Sequence, residues 1–167
     1  MQVGVLSDIH DHLENLERAL ELFSKEGVDT LCFCGDFCSP IPARVLGGYD
    51  GVVHCVFGNG DGDRFRMLQA EESGEAGALR LHGEHAELEI GGRRVALTHF
   101  PLYGQALART GDYDAVFSGH THEAGEERFP DAGECLWVNP GEILGWKGAP
   151  TAYLWDTEGN EGRFLEV

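Results

Sequence analysis

The chain has 167 residues, of which 42% are hydrophobic and 25% are charged, a composition typical of globular proteins that fold in water. Its length suits one compact domain, and we expect that domain to span residues 1–167. No apolar run approaches the roughly 20 residues that cross a bilayer, and no basic segment followed by an apolar core opens the chain. The pattern therefore predicts a cytoplasmic protein and disfavours a membrane protein.

The charge balance is strongly acidic. The 29 acidic residues outnumber the 12 lysines and arginines, so the formal net charge is -17. Two interpretations remain open: adaptation to high salt, where an acidic surface poor in lysine stays hydrated, and an ordinary acidic cytosolic protein. Under either one, the field of the protein disfavours binding to nucleic acid or to an anionic membrane. A phosphate-bearing substrate would need local positive charge, which metal ions could supply.

Three short apolar runs in the first half of the chain predict strands, at residues 3–7, 30–34 and 51–57. Between the first two runs, apolar residues recur at helical spacing, which predicts a helix from Leu13 that ends near Gly27. A short helix is expected between the second and third strands. Each predicted strand runs into a turn rich in Asp, His, Asn and Gly. Ligands gather beyond the carboxyl ends of parallel strands, so we expect a functional site at these turns.

The second half of the chain is richer in strand patterns. Strands are predicted at residues 84–90, 93–98, 115–118, 136–138, 152–155 and 163–167, with another near Glu127. The first two form a hairpin around Gly91 and Gly92, and a helix is predicted at residues 102–110. Residues 71–81 are acidic and rich in glycine, which predicts a surface loop.

These patterns predict an α/β fold. A parallel first half and a hairpin-rich second half favour two mixed β-sheets packed face to face, with helices on the outside. An exposed edge strand in the hairpin half would allow a homodimer or a higher homo-oligomer.

Three of the five cysteines crowd one segment, at positions 32, 34 and 38. Their spacing invites a metal-site interpretation, but no second cysteine pair follows at the spacing of a zinc ribbon. Cys32 and Cys34 lie inside an apolar run that predicts a buried strand. Core packing is therefore the favoured interpretation of these two residues.

A set of seven polar residues stands at the ends of the predicted strands. They are Asp8, His10, Asp36, Asn59, His99, His120 and His122. Imidazole nitrogens, carboxylate oxygens and one amide oxygen suit a pair of borderline divalent cations. Two cations about 3.5–4 Å apart need a bridging ligand, and the carboxylate of Asp36 is the natural candidate. The alternative interpretation is that these are seven unrelated turn residues. It is disfavoured because all seven occur together, each at the end of a predicted strand or one residue beyond it.

These blocks resemble the calcineurin-like metallophosphoesterases, and among them the small single-domain prokaryotic phosphodiesterases. The matching blocks are Ser7-Asp8-Ile9-His10, Cys34-Gly35-Asp36, Gly58-Asn59-Gly60-Asp61, Thr98-His99, Gly119-His120-Thr121-His122 and the late block Asn139-Pro140-Gly141. The resemblance covers nearly the whole chain. It implies a four-layer α/β/β/α sandwich with its site at the carboxyl-end rim.

The resemblance also implies how the ligands are shared. One metal would be held by Asp8, His10, Asp36 and His122. The other would be held by Asp36, Asn59, His99 and His120. Mn²⁺ is the favoured metal, with Ni²⁺, Fe²⁺, Zn²⁺ and Co²⁺ left open.

The residues and the resemblance together predict a metal-dependent phosphoesterase acting on a small phosphate ester, and the resemblance to the small members implies a phosphodiesterase rather than a phosphomonoesterase. Two cations would clamp the phosphoryl oxygens, and a metal-bridging hydroxide would attack phosphorus in line with the leaving group. The alternative is a catalytically silent scaffold of the same fold that binds metal and partner proteins. The intact set of seven ligand positions favours the enzyme.

The general acid is the least defined part of the predicted site. Larger members of the resembling family carry a histidine directly after the motif asparagine, and Gly60 stands there in this chain. His12 and Asp61 are the candidate acids because both lie in the metal-binding loops, although a plain turn role fits each equally. His99 is followed by Phe100-Pro101, where small members commonly show Gly-His, which would reshape the pocket.

Several other residues are given structural interpretations. His54, His82 and His85 have no partners at ligand spacing, and we expect satisfied or solvated side chains. The tryptophans, at positions 137, 146 and 155, are expected in the core or at an interface. Arg64 could contact a phosphate, but a surface arginine is favoured.

Overall fold

Eleven strands form one six-stranded and one five-stranded β-sheet in the computed structural model, which describes residues 1–167. The strands are β1 Gln2–Leu6, β2 Thr30–Phe33, β3 Val52–Cys55, β4 Leu79–Leu81, β5 His85–Ile90, β6 Arg93–Thr98, β7 Ala115–Phe117, β8 Gly125–Phe129, β9 Cys135–Asn139, β10 Thr151–Asp156 and β11 Glu161–Glu166. The helices are α1 Leu13–Lys25, α2 Pro40–Gly47, α3 Arg64–Glu72 and α4 Pro101–Ala108. A single 3₁₀ turn, Pro130–Ala132, precedes β9.

Both sheets are mixed. The strand order in the first sheet is β11-β10-β1-β2-β3-β4, in which β1 to β4 are parallel and β10 and β11 are antiparallel to their neighbours. The order in the second sheet is β5-β6-β7-β9-β8, with β6, β7 and β9 parallel and the two edge strands antiparallel. The carboxyl ends of β1, β2 and β3 share one edge of the first sheet. Those of β6 and β7 share one edge of the second.

Three apolar layers hold four layers of structure together. A cluster of 15 buried residues lies between the sheets, with Val5 and Cys32 from the first sheet and Leu97 and Phe117 from the second. A cluster of 21 joins the first sheet to α1, α2 and α3, and a cluster of seven joins the second sheet to α4. The predicted α/β/β/α sandwich is confirmed.

Helix α1 begins where the first site loop ends. His12 caps it, because its Nδ1 accepts a hydrogen bond from the backbone N–H of Asn15 at 3.3 Å. Leu16, Ala19 and Phe23 share the buried face, spaced three and four residues apart. Burial of this face fixes the loop before the helix against the sheet.

The cysteines pack as small apolar residues. Cys32, Cys34, Cys55 and Cys135 are fully buried, and none of the five cysteines forms a disulfide. The core interpretation of Cys32 and Cys34 is confirmed.

The prediction of a surface loop at residues 71–81 is wrong. Helix α3 extends to Glu72, and β4 pairs in parallel with β3. Leu79 is 1% exposed and belongs to the cluster beneath the helices, so its burial compensates the weak strand propensity of the segment. The acidic and glycine residues around this strand concealed it in the sequence.

None of the helices is both long enough and apolar enough to cross a bilayer.

Candidate metal centre

Five loops at the carboxyl ends of β1, β2, β3, β6 and β7 form the predicted site. The structure brings the nitrogen and oxygen atoms of five predicted ligands together in two overlapping groups. Within each group these atoms lie within 4.8 Å of one another. The groups are Asp8, His10 and His122, and Asp8, Asp36 and His99. The two sheets therefore contribute to one site.

The backbone of these loops is strained. Asp8, His10, Asp36, His120 and His122 all have positive φ, between 45° and 72°. Such conformations are uncommon for residues other than glycine and concentrate at functional sites. In this site they aim side chains from sharp turns instead of continuing the strands.

The first group centres on Oδ1 of Asp8. This atom lies 3.8 Å from Nε2 of His10 and 3.4 Å from Nε2 of His122. Asp8 Oδ1 and His10 Nε2 are buried and have no hydrogen-bond partner. The rings of His10 and His122 stack, with centroids 5.0 Å apart.

The second group centres on Oδ2 of Asp36. This atom lies 3.4 Å from Nε2 of His10 and 3.5 Å from Nε2 of His99. His99 Nε2 lies 3.1 Å from Oδ1 of Asn59, and Oδ1 of Asp36 accepts a hydrogen bond from Gly60 N–H at 2.7 Å. Asp36 therefore lies between histidines of both groups.

Hydrogen bonds on the far side of two imidazoles set their tautomers. His99 Nδ1 lies 2.8 Å from the carbonyl oxygen of Cys34. His122 Nδ1 lies 2.5 Å from a carboxylate oxygen of Glu142. A carbonyl or a carboxylate can only accept, so each Nδ1 carries a proton, and each ring in its neutral form presents an Nε2 lone pair to the carboxylates.

The site thus gathers acceptor atoms that face one another. When the Nε2 atoms carry no proton, these lone pairs at 3.1–3.8 Å repel one another, and a divalent cation resolves the repulsion. Burial alone would raise the pKa of Asp36, but hydrogen bonding to His99, the Gly60 N–H and nearby His10 together hold it below its ordinary value. The donor set therefore fits borderline divalent cations.

His120 lies beside the two groups without joining them. Its backbone N–H donates to Oδ2 of Asp8 at 2.9 Å. Its exposed ring lies 5.1 Å from that of His99 and 4.8 Å from that of Phe100, measured between centroids. Gly119 before it passes so close that a Cβ would stand 1.9 Å from Oγ of Ser7, so only glycine fits.

The two candidate acids both make structural hydrogen bonds. His12 caps α1 through Nδ1. Asp61 is 9% exposed and accepts three backbone hydrogen bonds, from Gly58 at 2.7 Å, Asp36 at 3.1 Å and Cys38 at 3.0 Å. Burial raises the pKa of Asp61, while these three donors favour its carboxylate form. Asp61 thus joins the loop after β2 to the loop after β3.

Glu142 is a site residue that sequence reasoning missed. It is 1% exposed and follows the late block Asn139-Pro140-Gly141. Nδ2 of Asn139 donates to the carbonyl of Gly119 at 2.8 Å and to Oγ1 of Thr121 at 2.9 Å, which fixes the loop that bears His122. The only sequence signal for Glu142 was its position directly after this block.

Two of the remaining histidines satisfy each other. Nδ1 of His54 lies 3.0 Å from Nε2 of His82, a pairing that their spacing in sequence did not indicate. His85 lies on the surface, 3.2 Å from a carboxylate oxygen of Glu87.

Arg64 and Trp146 lie near the site loops. Arg64 donates to the carbonyls of Gly58 and Asp61 and pairs with Glu84 at 3.0 Å, so its guanidinium braces a loop. Trp137 and Trp155 are buried, whereas Trp146 is 74% exposed, with its ring 6.0 Å from that of His122.

The arrangement of strand-end ligands extends through most of the chain and matches a known family model. The model of the calcineurin-like phosphoesterase superfamily domain matches residues 1–160. The chain belongs to this superfamily. The resemblance in the sequence is confirmed, and membership supports a metal-dependent phosphoesterase.

Two curated relatives are phosphodiesterases by name. The chain is 32% identical over 166 residues to phosphodiesterase MJ0936 of Methanocaldococcus jannaschii, covering 98% of this chain and 97% of that protein. It is 30% identical over 169 residues to phosphodiesterase YfcE of Escherichia coli, covering 92% of this chain and 85% of that protein.

Solved structures agree on the fold. The structure of an archaeal phosphodiesterase superposes with a TM-score of 0.88 at 32% identity, over 100% of both chains. Vps29 of Chaetomium thermophilum superposes with a TM-score of 0.68 at 15% identity, over 100% of this chain and 96% of that one. The second likeness concerns the fold alone.

Proposed function

We propose that the protein hydrolyses phosphodiesters at a pair of divalent cations. The observation that carries the proposal is the convergence of acceptor atoms. Carboxylate oxygens of Asp8 and Asp36 lie 3.4–3.8 Å from Nε2 atoms of three histidines, two of which carry their proton on Nδ1. A pair of cations matches both the chemistry and the division of these atoms into two groups.

The two groups of facing atoms share Asp8, and the proposed ligand sets extend these groups with Asn59 and His120 and assign the bridge to Asp36. One cation would be held by Asp8, His10, Asp36 and His122, and the other by Asp36, Asn59, His99 and His120. The contacts of Asp36 with His10 and His99 support the bridging role. The exposed ring of His120 lies 5.1 Å from the ring of His99, on the solvent-facing side of the second set.

When bound, two cations supply positive charge to the phosphoryl oxygens and a hydroxide nucleophile at neutral pH. The protein supplies a rigid frame for them. Asp61 orders two loops through three backbone hydrogen bonds, and Asn139 orders a third. Rigid ligand loops hold the ligands in place before substrate arrives, so little reorganisation accompanies reaction. Mn²⁺ is the proposed metal.

The charges near the site favour a diester over a monoester. A monoester brings about two negative charges, whereas a diester brings one. Two basic side chains near the site loops already face carboxylates: Arg64 pairs with Glu84 at 3.0 Å, and Lys147 lies 3.9 Å from a carboxylate oxygen of Glu123. These two cations therefore offer little unpaired positive charge for the second charge of a monoester, and the names of the two relatives agree with a diester.

Aromatic side chains at both ends of the cluster suit the two substituents of a diester. Phe100 contacts the ring of His120 and lies 5.9 Å from the ring of Tyr103, which is 58% exposed. Trp146 contacts His122 at the other end. These rings would stack on planar groups attached to the phosphate.

The test is hydrolysis of bis-(p-nitrophenyl) phosphate and p-nitrophenyl phosphate by metal-stripped protein titrated with Mn²⁺. We expect Mn²⁺-dependent turnover with the diester preferred. Asp36→Asn should abolish it. Asp63→Asn, at an exposed position whose side chain does not cap the following helix, should not. Metal binding without turnover of either ester would instead favour the silent scaffold.

A further inference from the structure

We propose that Glu142 is a positioning residue that holds His122 in its Nδ1–H tautomer and thereby raises the metal affinity of one site selectively. The ligand role of His122 rests on the proposed function. The tautomer itself does not, because it follows from contacts within the protein.

Both carboxylate oxygens of Glu142 accept hydrogen bonds. Oε2 lies 2.5 Å from Nδ1 of His122, and Oε1 accepts from the backbone N–H of Lys147 at 2.5 Å. Two acceptors are needed at this buried position, and the ionised carboxylate provides them. A glutamine of the same shape offers one acceptor and one donor, so it must lose one of the two contacts.

The carboxylate sits on a rigid base. The carbonyl of Glu142 accepts from Thr151 N–H at 2.9 Å, and Gly141 N–H donates to Oδ1 of Asn139 at 3.0 Å. Asn139 also holds the loop that bears His122. The position of Glu142 relative to the imidazole is therefore fixed before metal binds.

His99 and His122 differ in the kind of acceptor that faces Nδ1. A neutral carbonyl, that of Cys34, accepts from His99 Nδ1, whereas a carboxylate accepts from His122 Nδ1. A carboxylate partner makes the opposite nitrogen more basic and a better ligand, and loss of such a partner typically lowers metal affinity about 10–100-fold. The effect should be confined to the site that contains His122.

The first test is a calorimetric Mn²⁺ titration of the metal-stripped full-length protein. In Glu142→Gln, we expect one binding event to weaken about 10–100-fold and the other to stay unchanged. The matched control is Glu123→Gln, which removes an exposed carboxylate 3.9 Å from Lys147 Nζ and leaves the hydrogen bond between Glu142 and His122 in place. Equal weakening of both events, or no weakening, would overturn the proposal.

The second test needs no metal and no variant. Long-range ¹H–¹⁵N spectra of the metal-free wild type should show His122 protonated on Nδ1. An Nε2–H tautomer in the wild type would overturn the proposal even if Glu142→Gln fails to fold. If the wild type binds fewer than two Mn²⁺ ions yet keeps the Nδ1–H tautomer, the proposed function fails while the positioning of His122 stands.

Discussion

Nε2 of His10 and Oδ1 of Asp8 face each other at 3.8 Å, both buried and neither hydrogen-bonded. Each buried polar atom without a partner destabilises a fold by about 1–3 kcal/mol. The positive φ of both residues adds backbone strain at the same place. A fold that retains such a pair is arranged around something that binds between them, and a cation fits.

Metal binding should therefore stabilise the fold. At Mn²⁺ a hundredfold above its dissociation constant, linkage gives about 2.7 kcal/mol, or a rise of about 5–10 °C in Tm for a chain of this size. Differential scanning calorimetry of metal-stripped protein with and without Mn²⁺ measures it. Asp8→Asn should show a smaller rise in Tm. A wild-type Tm that does not change with Mn²⁺ would contradict the proposed metal site.

Asp61→Asn should destabilise the protein without removing a proton donor. Asparagine cannot supply acceptors on both side-chain atoms, so the hydrogen bonds from Gly58, Asp36 and Cys38 cannot all persist, and we expect a loss of about 1–3 kcal/mol in urea unfolding.

A comparison of two substrates with different leaving groups separates a structural role of Asp61 from that of a general acid. If the role is structural, Asp61→Asn leaves unchanged the ratio of kcat/KM for a p-nitrophenyl diester to kcat/KM for an alkyl diester. A selective loss for the alkyl leaving group would restore Asp61 as the acid.

Trp146→Ala should raise KM for diesters with planar substituents. The exposed indole loses its stacking surface beside His122, which is worth about 0.5–1.5 kcal/mol, or roughly 2- to 12-fold. Trp146→Phe should keep most of the effect. The comparison substrate is a methyl diester, and an equal change in KM for both substrates would show that the indole does not contact the substituent.

The His54–His82 pair should make folding sensitive to mild acid. Burial, then the positive charges of His82 and Arg80, lower the pKa of His54 to about 4. The unfolded chain takes up a proton near pH 6.5, so the unfolded state binds more protons than the folded state between pH 6.5 and 4. Stability is therefore full above pH 6.5 and falls as the pH drops towards 4.

The variant His54→Asn keeps a polar atom near the Nδ1 position but cannot protonate. Between pH 7.5 and 5, metal-stripped wild type should lose roughly 1–2 kcal/mol more unfolding free energy than this variant, allowing for the partial exposure of the ring. Urea unfolding at the two pH values measures the difference. Parallel losses would mean that His54 titrates normally.

The fold, and the gathering of five predicted ligands at one rim, could be predicted because their signals are local. Apolar runs marked the strands, and polar residues directly after them marked the rim, since parallel strands end at one edge. The prediction of a loop at residues 71–81 was wrong because β4 is only three residues long and depends on the burial of Leu79. That burial is a tertiary effect, which a three-residue sequence pattern does not indicate.

Side-chain pairings could not be predicted from the sequence. Glu142 and His122 are 20 residues apart, and His54 and His82 are 28 apart, so no periodicity connects them. The sequence made Asp61 a candidate general acid or a turn residue, whereas its three backbone donors depend on how two loops approach each other. Sequence motifs indicate which groups gather, whereas the hydrogen bonds that orient those groups follow from the packed fold.

The most direct test of the central claim is Mn²⁺ electron paramagnetic resonance during titration of metal-stripped protein. Two ions about 3.5–4 Å apart interact magnetically, so we predict an exchange-coupled spectrum that is complete at two equivalents. His122→Ala should give an uncoupled signal from one tightly bound ion. Two uncoupled ions in the wild type, or a single binding equivalent, would contradict a dinuclear centre bridged by Asp36.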